Sequence, residues 1–407
     1  MKQGWEIRNL SEVCTFFNDG NWIESKDQSD SGYRLIQTGN VGIGEFRDKS
    51  GKERYISEST FRRLRCTEIF EGDILVSRLP DPVGRTCMVP GLNHKMITAV
   101  DCTIVRLKKD LINEHFFKYY SQSQTYFNRI SEKITGTTRD RISRNNLGSI
   151  PVPLPPLPEQ LRIVRILDDA FASIAKAKAN AEQNLKNSRE LFESSLQSVF
   201  ENNGEGWEEK RVKDLGITQT GTTPKTIEKE NYGDFIPFIK PADIDFSGIG
   251  DLRYDNEGLS EIGIKKGRKM ESGSILMVCI GATIGKAGFS ELEVSCNQQI
   301  NSLTVKQEYE PKFFYYAMTS KEFQEKVLSE GKGAQATLPI INKSKWENLT
   351  INFPKTKTEQ QTIVHLLDSL RTETQKLETI YQQKLKDLEE LKKSILQKAF
   401  NGELKTS

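Results

Sequence analysis

Apolar residues in the last part of the chain follow the spacing of a coiled-coil helix. They recur mainly at steps of four and three residues, at Ile363, Leu367, Leu370, Leu377, Tyr381, Leu388, Leu391 and Ile395. Neither Leu161 to Phe200 nor Glu359 to Phe400 contains Gly or Pro, and both stretches are rich in residues that favour helices. The pattern predicts two long helices, each with an apolar seam along one side.

The two helical stretches are copies of each other. From Glu159 to Phe200, 16 of 42 residues are identical to the residue 200 positions later, whereas ordinary composition would give roughly two or three identities. The repeat continues weakly outside this window, where Gly4-Trp5-Glu6 corresponds to Gly206-Trp207-Glu208. We therefore interpret the chain as a duplicated unit, in which each copy contains one domain and one helix.

The duplicated seam indicates that the two helices pack on each other. Carried back by 200 positions, it falls on Ile163, Leu167, Ile174 and Leu191, and otherwise mostly on Ala and Ser. Large side chains of one helix would then face small ones of the other. An antiparallel pair needs the shorter connections, and each helix would be roughly 65 Å long. Two unrelated helices exposed to solvent are the alternative.

The remaining segments have mixed α and β character. The β-rich stretch Ser274–Cys279, for example, is followed by the helix-like stretch Pro311–Ala317. We predict an α+β fold with two globular mixed α/β domains, the heads, separated by two long antiparallel coiled-coil helices in a pseudo-twofold arrangement. The predicted bounds are 1–157 for the first head, 158–203 for the first helix, 204–357 for the second head and 358–407 for the second helix.

Charge and composition restrict the possible functions. The 58 basic and 56 acidic side chains give a net charge of +2, so nucleic-acid binding would depend on local patches rather than on bulk charge. Because no apolar run approaches 18 residues and no leader pattern is present, we expect a soluble cytoplasmic protein. The six cysteines have no C-x-x-C spacing, so we expect reduced, mostly buried thiols and no metal site.

Motifs for catalysis are missing from the sequence. The nearest approach to a phosphate-binding loop is Gly281 to Ala287, which is one residue too short and has Ala at the magnesium-binding position. We therefore expect no catalytic, cofactor-binding or metal-binding residue, and a role in recognition. An enzymatic alternative, in which the chain itself cleaves or methylates DNA, predicts activity without partners.

Several short motifs together resemble one known family. A proline-containing run, Ile150 to Gln160, opens the first helix, and Ile351-Asn-Phe-Pro with Glu359-Gln360 repeats it. The second head adds Gly221-Thr-Thr-Pro224, Ile236 to Ile244, and Asn297-Gln298-Gln299. This series resembles the specificity subunit of type I restriction-modification enzymes. The first head departs from it, with Asn18-Asp-Gly-Asn21 and Asp101-Cys102 in the places of the first and last motifs.

The resemblance implies a non-catalytic subunit that binds double-stranded DNA. Each head would be a target-recognition domain for one half of a bipartite site, while the helices would set the gap and dock two methyltransferase subunits. Restriction subunits would complete the complex, which methylates adenine and cleaves DNA. S-adenosylmethionine, ATP and magnesium would all be bound by the partner subunits. The alternative is a two-headed coiled-coil scaffold that binds proteins.

Candidate DNA contacts are polar side chains in predicted loops. Arg commonly pairs with guanine, and Asn or Gln with adenine. The candidates in the first head are Gln37, Thr38, Asn40, Arg78, Arg85, Thr137, Thr138, Arg139 and Arg141. Those in the second head are Thr222, Thr223, Lys240, Lys286, Gln298, Lys332 and Gln335. The basic runs Arg62 to Arg65 and Lys265 to Lys269 are either phosphate anchors or ordinary solvated surface.

Overall fold

The computed structural model describes residues 4–136, 139–201, 206–244, 252–331 and 339–404. The chain forms two compact units, and each contains one head with parts of both long helices. The first unit comprises Met1–Ala181 and Gln383–Ser407, and the second comprises Glu182–Gln382. Because these units divide within the long helices, the four-part division into heads and helices stays a prediction. Among the described helices, none is both long enough and apolar enough to span a membrane.

The first head contains three antiparallel or mixed sheets and four short helices. Its strands are β1 (Glu6–Asn9), β2 (Cys14–Asp19), β3 (Gln28–Ser29), β4 (Tyr33–Ile36), β5 (Tyr55–Ile56), β6 (Glu68–Ile69), β7 (Ile74–Ser77), β8 (Thr86–Met88), β9 (Met96–Thr98), β10 (Cys102–Leu107) and β11 (Pro151–Leu154). Its helices are α1 (Glu58–Arg63), α2 (Glu114–Tyr120), α3 (Gln124–Ser131) and α4 (Arg144–Gly148), followed by the long helix α5 (Leu157–Glu201). The sheet orders are β2-β10-β7-β8, β3-β5-β4-β9-β6 and β1-β11.

The second head repeats this topology. Its strands are β12 (Trp207–Arg211), β13 (Gly216–Thr220), β14 (Tyr232–Ile239), β15 (Gly258–Leu259), β16 (Lys269–Met270), β17 (Ile275–Val278), β18 (Ala287–Phe289), β19 (Val294–Cys296), β20 (Ile300–Val305) and β21 (Thr350–Pro354). Its helices are α6 (Val212–Leu215), α7 (Glu261–Lys266), α8 (Pro311–Thr319), α9 (Lys321–Gly331) and α10 (Lys343–Trp346), followed by the long helix α11 (Lys357–Phe400). The orders β13-β20-β17-β18, β15-β14-β19-β16 and β12-β21 match those of the first head, which has β3 in addition.

Matching backbone hydrogen bonds give the exact correspondence between the heads. The Gly20 N–H donates to the Cys102 carbonyl and the Gly221 N–H to the Ile300 carbonyl, both at 2.9 Å. Gly20 is therefore the counterpart of Gly221, which corrects the match of Asn18 with Gly221 made from the sequence. A Cβ at Gly20 would collide with the Thr98 carbonyl, and one at Gly221 would collide with the equivalent carbonyls of β19 and the next residue. Close backbone approach therefore explains this shared glycine.

Within each unit, the long helices run antiparallel and join the core of the head. In the first unit the Lys392 ammonium lies 5.3 Å from the Phe171 ring centroid, and Lys178 forms an ion pair with Glu389 at 2.7 Å. Higher numbers on α5 thus correspond to lower numbers on α11. The second unit has the ion pair of Arg189 and Glu378 at 3.0 Å, and its core combines Phe192, Leu196 and Phe200 with Val364 and Leu367. The predicted antiparallel coiled-coil packing is confirmed within each unit.

The repeated Glu-Gln and Leu-Asp residues join each long helix to its head. The Gln160 amide oxygen accepts from the Asn113 N–H at 2.8 Å, and the Gln360 oxygen accepts from the Glu310 N–H at 2.8 Å. Both glutamine side chains are fully buried. About two turns further on, the Tyr119 hydroxyl donates to Asp168, as the Tyr316 hydroxyl does to Asp368 at 2.5 Å. The glutamine and aspartate residues that are identical in the two copies therefore connect each long helix to its head.

Burial along the predicted seam is highest near the start of each long helix, and three of the seam leucines are exposed. Ile163, Leu167 and Leu367 are buried, while Ile174, Ile363, Leu370, Tyr381, Leu388 and Ile395 are half-buried. Leu191, Leu377 and Leu391 are instead 49%, 38% and 46% exposed, whereas Ser188, Phe192 and Thr374 are buried. A straight helix with 3.6 residues per turn drifts by about 20° per heptad, so a strict heptad extrapolation leaves the packed face.

Candidate nucleic-acid interface

Loops from several strands meet at one edge of each head. In the first head this edge receives the ends of β2, β4, β7 and β9 and the starts of β8 and β10. We define the first loop edge as residues 20–21, 37–47, 78–85, 99–101 and 136–141, of which 137 and 138 lie outside the described residues. Hydrogen bonds tie these loops together, for example from the Arg78 N–H to the Asp101 carbonyl and from the Ile142 N–H to the Arg78 carbonyl, at 2.9 and 3.2 Å. Most candidate DNA contacts of the first head thus lie on the first loop edge.

Arg85 positions the loops rather than facing the solvent. Its side chain is buried, and its three nitrogens donate to four backbone carbonyls. The acceptors are Val41 at 2.7 Å, Leu79 at 2.8 Å, Pro82 at 3.0 Å and Thr38 at 2.9 Å. Burial lowers the pKa of the Arg85 guanidinium. Because the side chain is buried and four of its five N–H donors are already used, the assignment of Arg85 as a base contact is corrected to a structural role.

Lys286 makes the equivalent connection in the second head. Its ammonium donates to the Pro241 carbonyl at 3.3 Å, and Pro241 occupies the place of Thr38. The 3-10 turn next to it is capped in the same way in both heads. The Asn40 side chain accepts from the Gln37 N–H at 3.0 Å, as Asp243 does from the Lys240 N–H at 2.8 Å. Asn40 is also buried, so it supports the turn that presents Gln37 and Thr38.

Arg78 lies beneath the first loop edge. It is buried, forms an ion pair with Asp19 at 3.2 Å and donates to the Val100 carbonyl at 2.7 Å. Burial lowers the pKa of its guanidinium, and the nearby Asp19 carboxylate opposes this shift. Arg78 is therefore placed to support the loops. The second head has Cys279 at this position, where the Asn301 amide donates to its sulfur at 3.2 Å.

The exposed candidates differ between the two heads. In the first head Arg139 and Arg141 are exposed, and Arg141 forms an ion pair with Asp101 at 3.0 Å. In the second head the Thr223 hydroxyl donates to the amide oxygen of the exposed Gln298. Thr222 is half-buried beside them, and Lys240 pairs with Glu257. Thr137, Thr138, Lys332 and Gln335 lie outside the described residues.

Comparisons with known proteins identify the family to which these heads belong. Residues 2–186 and 204–387 both match the type I restriction modification DNA specificity domain. The chain belongs to this family. The resemblance expressed by the proline-containing runs is thereby confirmed, a role in DNA recognition fits, and the alternative of a protein-binding scaffold is not favoured.

Individual members of the family support the same assignment. The HindI specificity subunit of Haemophilus influenzae is 28% identical over 202 residues, which cover 49% of this chain and less than half, 42%, of that protein. The putative MjaX specificity subunit of Methanocaldococcus jannaschii is 21% identical over 426 residues, covering 99% of this chain and 94% of that one. The EcoBI specificity subunit of Escherichia coli is 24% identical and covers 78% and 70%.

Solved structures share the fold of this specificity-domain protein. A chain from a study of complex assembly and conformational transition in a type I R-M system has a TM-score of 0.78 at 20% identity, with 99% of both chains covered. The HsdS subunit from Thermoanaerobacter tengcongensis has a TM-score of 0.63 at 19% identity, with 99% and 98% covered. The predicted fold class, two mixed α/β domains with long coiled-coil helices, is confirmed.

Two arginines of the specificity domains were missed by the sequence comparison. The Arg47 N–H donates to the Asn40 carbonyl and the Arg253 N–H to the Asp243 carbonyl, both at 2.8 Å. These residues are therefore counterparts, although they lie 206 positions apart. An insertion in the preceding hairpin hides the match from a comparison at constant offset. Only the pairing of the backbone reveals it.

Proposed function

We propose that this chain is the non-catalytic specificity subunit of a type I restriction-modification complex. Each head would read one half of a bipartite DNA site through its loop edge, and the long helices would set the gap between the halves. The observation that carries this proposal is the contrast between the first loop edge and its counterpart in the second head, the second loop edge, which comprises residues 221–224, 240–244, 252–253, 279–286 and 297–299. They share a capped 3-10 turn that is held by the buried Arg85 or the half-buried Lys286, but they present different exposed side chains.

Different exposed residues on one scaffold suit two readers of different sequences. Base edges in the major groove are distinguished by hydrogen-bonding side chains, so each half-site needs its own set. We propose base contacts from Gln37, Thr38, Arg139 and Arg141 in the first head and from Thr222, Thr223, Lys240 and Gln298 in the second. Contacts by Thr137, Thr138, Lys332 and Gln335 stay predictions.

Partner subunits would supply the chemistry. We propose that two methyltransferase subunits dock on the long helices and that restriction subunits join them in the full complex. S-adenosylmethionine, ATP and magnesium would be bound by those subunits, which would methylate adenine and cleave DNA in the cytoplasm. The long helices support docking because they expose large apolar side chains, namely Leu161, Leu191, Leu366, Leu377, Ile380 and Leu391.

Selection from random duplexes tests the proposed DNA recognition. The chain, assembled with its methyltransferase subunits, is incubated with a duplex library, and the methylated molecules are sequenced. We expect enrichment of one motif with two specified halves and a fixed gap. The double substitution Arg139→Ala and Arg141→Ala should relax one half, while Thr222→Ala with Thr223→Ala should relax the other. Absence of any bipartite motif with the unsubstituted chain would contradict the proposal.

A charge placed on the exposed helix face tests docking. Leu366, which is 60% exposed, is changed to Lys, and Thr372→Lys on another face of α11 is the matched control. We expect Leu366→Lys to reduce co-purification of methyltransferase subunits without changing the melting temperature. Equal retention of these subunits by both variants would show that they dock elsewhere.

A further inference from the structure

A duplicated DNA reader should keep its phosphate contacts and change its base contacts. The sugar-phosphate backbone is the same at every sequence, so a side chain that binds it carries no sequence information. A base contact, in contrast, must differ between heads that read different half-sites. An exposed cation present at the same place in both loop edges is therefore a candidate for phosphate binding. This reasoning rests on the function proposed above.

Arg47 and Arg253 occupy the same place in the fold. Each follows a short hairpin that is closed by a bridge, Val41 with Phe46 in the first head and Ile244 with Leu252 in the second. The second head has more residues between the two bridge partners, and residues 245–251 lie outside the described part of the chain. The arginine nevertheless returns to the same backbone acceptor in the adjoining 3-10 turn. Its position has thus been kept while the hairpin before it changed.

Other candidate positions on the loop edges have not been kept in this way. Gln37 corresponds to Lys240, Thr38 to Pro241, and Arg78 to Cys279. Arg85 and Lys286 are both basic, but their charged groups are directed to backbone carbonyls of the protein. Among these matched positions, Arg47 and Arg253 are the same residue type in both heads and are exposed in both.

The surroundings leave both guanidinium groups accessible. The Arg47 side chain is 54% exposed, and its Nε lies 3.1 Å from a carboxylate oxygen of Glu45, itself 65% exposed. Such a solvent-exposed ion pair is weak and easily exchanged for a phosphate. The Lys49 ammonium lies beside Gly39 of the adjoining 3-10 turn and adds a second positive charge there. Arg253 is exposed and forms no ion pair with another described residue.

We propose that Arg47 and Arg253 are equivalent phosphate anchors, one in each head. Each guanidinium binds a phosphate of the DNA backbone and so fixes the loop edge over the bases that the neighbouring side chains read. The anchors are well supported, because each adjoining 3-10 turn is held by a buried or half-buried cation, Arg85 or Lys286, and capped by Asn40 or Asp243. They contribute affinity and position without selecting a sequence.

Salt-dependent binding distinguishes an anchor from a base reader. The full complex with methyltransferase subunits is prepared with Arg47→Ala, Arg253→Ala, both together, and the corresponding Lys variants. Dissociation constants are measured at several salt concentrations for the selected bipartite duplex and for duplexes altered at single bases. Each Ala variant should weaken binding about three- to ten-fold on all duplexes and reduce the salt slope by roughly one, and Lys should retain most of the affinity.

Arg8→Ala is the matched control, because Arg8 lies on β1, outside the first loop edge, is 41% exposed and pairs with one carboxylate, Glu6, at 3.1 Å. We expect Arg8→Ala to bind as the unsubstituted complex does. Changed base preference at one position in an Arg47 or Arg253 variant would make that residue a base reader, and unchanged affinity and slope would exclude a contact. Either result overturns the proposal while the unsubstituted complex still selects its bipartite site. Loss of that selection in the unsubstituted complex would instead refute the proposed function.

Discussion

At the scale of single residues, cations under the loop edge serve the protein and not the ligand. Arg85 connects the turn at Thr38, the hairpin at Val41 and the loop from Leu79 to Pro82 through hydrogen bonds to their carbonyls. Hydrogen bonds to a charged group are worth about 1.5–3 kcal/mol each, and unsatisfied buried acceptors have a cost of their own. One side chain thus determines the relative positions of three loops.

Removal of Arg85 should therefore affect stability before specificity. We expect Arg85→Ala to lower the free energy of unfolding by about 3 kcal/mol or more, because it removes four hydrogen bonds from a charged group to buried or partly buried carbonyls. Arg85→Lys, which resembles the Lys286 arrangement, should cost less. Urea unfolding measures the difference, and Arg139→Ala is an exposed control in the same loop edge. Normal stability with altered recognition of one base would contradict the structural role.

The cysteines give a second prediction at this scale. All six are buried, and burial raises the pKa of the Cys87 and Cys279 thiols to about 12. We expect no alkylation of the native protein by iodoacetamide at neutral pH and alkylation of all six thiols in denaturant. Because these pKa values are higher in the folded state, their contribution to stability should be lost as the pH rises above about 9. Rapid labelling of the native chain would contradict the burial.

At the scale of elements, the long helices carry a directional pattern of charge. In the two ion pairs described above the base belongs to α5 and the acid to α11: Lys178 with Glu389 in the first unit, and Arg189 with Glu378 in the second. In the duplicated numbering Lys178 corresponds to Glu378 and Arg189 to Glu389. Two copies of α5 paired in this way would bring Lys178 near Arg189, and two copies of α11 would bring Glu378 near Glu389. Since like charges repel, this pattern favours unlike helices as partners.

A double-mutant cycle tests the pair of Lys178 and Glu389. Since both side chains are about half exposed, removing the pair by Lys178→Ala should cost only about 0.5 kcal/mol. Lys178→Glu should cost more, and adding Glu389→Lys should restore much of the loss. The hydrogen bond from Lys178 lowers the pKa of Glu389, so the pair's contribution should disappear as the pH falls below about 4. Additive effects in urea unfolding would exclude the coupling.

The elements also show which features the sequence could predict. The sequence predicts the long helices because their two copies keep a constant offset of 200 residues. The bonds from Gln160, Asp168, Gln360 and Asp368 to the heads give a structural reason for this offset, since a shift along the helix would break them. In the heads, Gly20 and Gly221 differ by 201 positions but Arg47 and Arg253 by 206, because a surface hairpin can lengthen without disturbing the core. Burial of Arg78 and Arg85 depends on how separate loops meet, which no local pattern encodes.

At the scale of the whole molecule, duplication separates what both heads need from what each needs alone. Both require the glycine at the end of β2 or β13, a capped 3-10 turn and an arginine after the hairpin. Each has its own exposed residues around them, such as Arg139 and Arg141 or Thr223 and Gln298. Recognition can therefore change at the loop edges while the helices and their attachment to the heads stay constant.

The length of the gap in the recognised DNA site should therefore change independently of the base sequences of the two half-sites. Seven residues, about two turns or 10 Å, are inserted after Ala177 in α5 and after Glu389 in α11, so that the helix pair keeps its packing. We expect a longer gap in the bipartite motif and two unchanged half-sites, because neither insertion lies in a loop edge. The motif is measured by sequencing duplexes methylated by the full complex. Replacing seven residues at the same places without insertion is the control, and it should leave the gap unchanged. A new half-site in the insertion variant would mean that the long helices also influence the bases that the heads select.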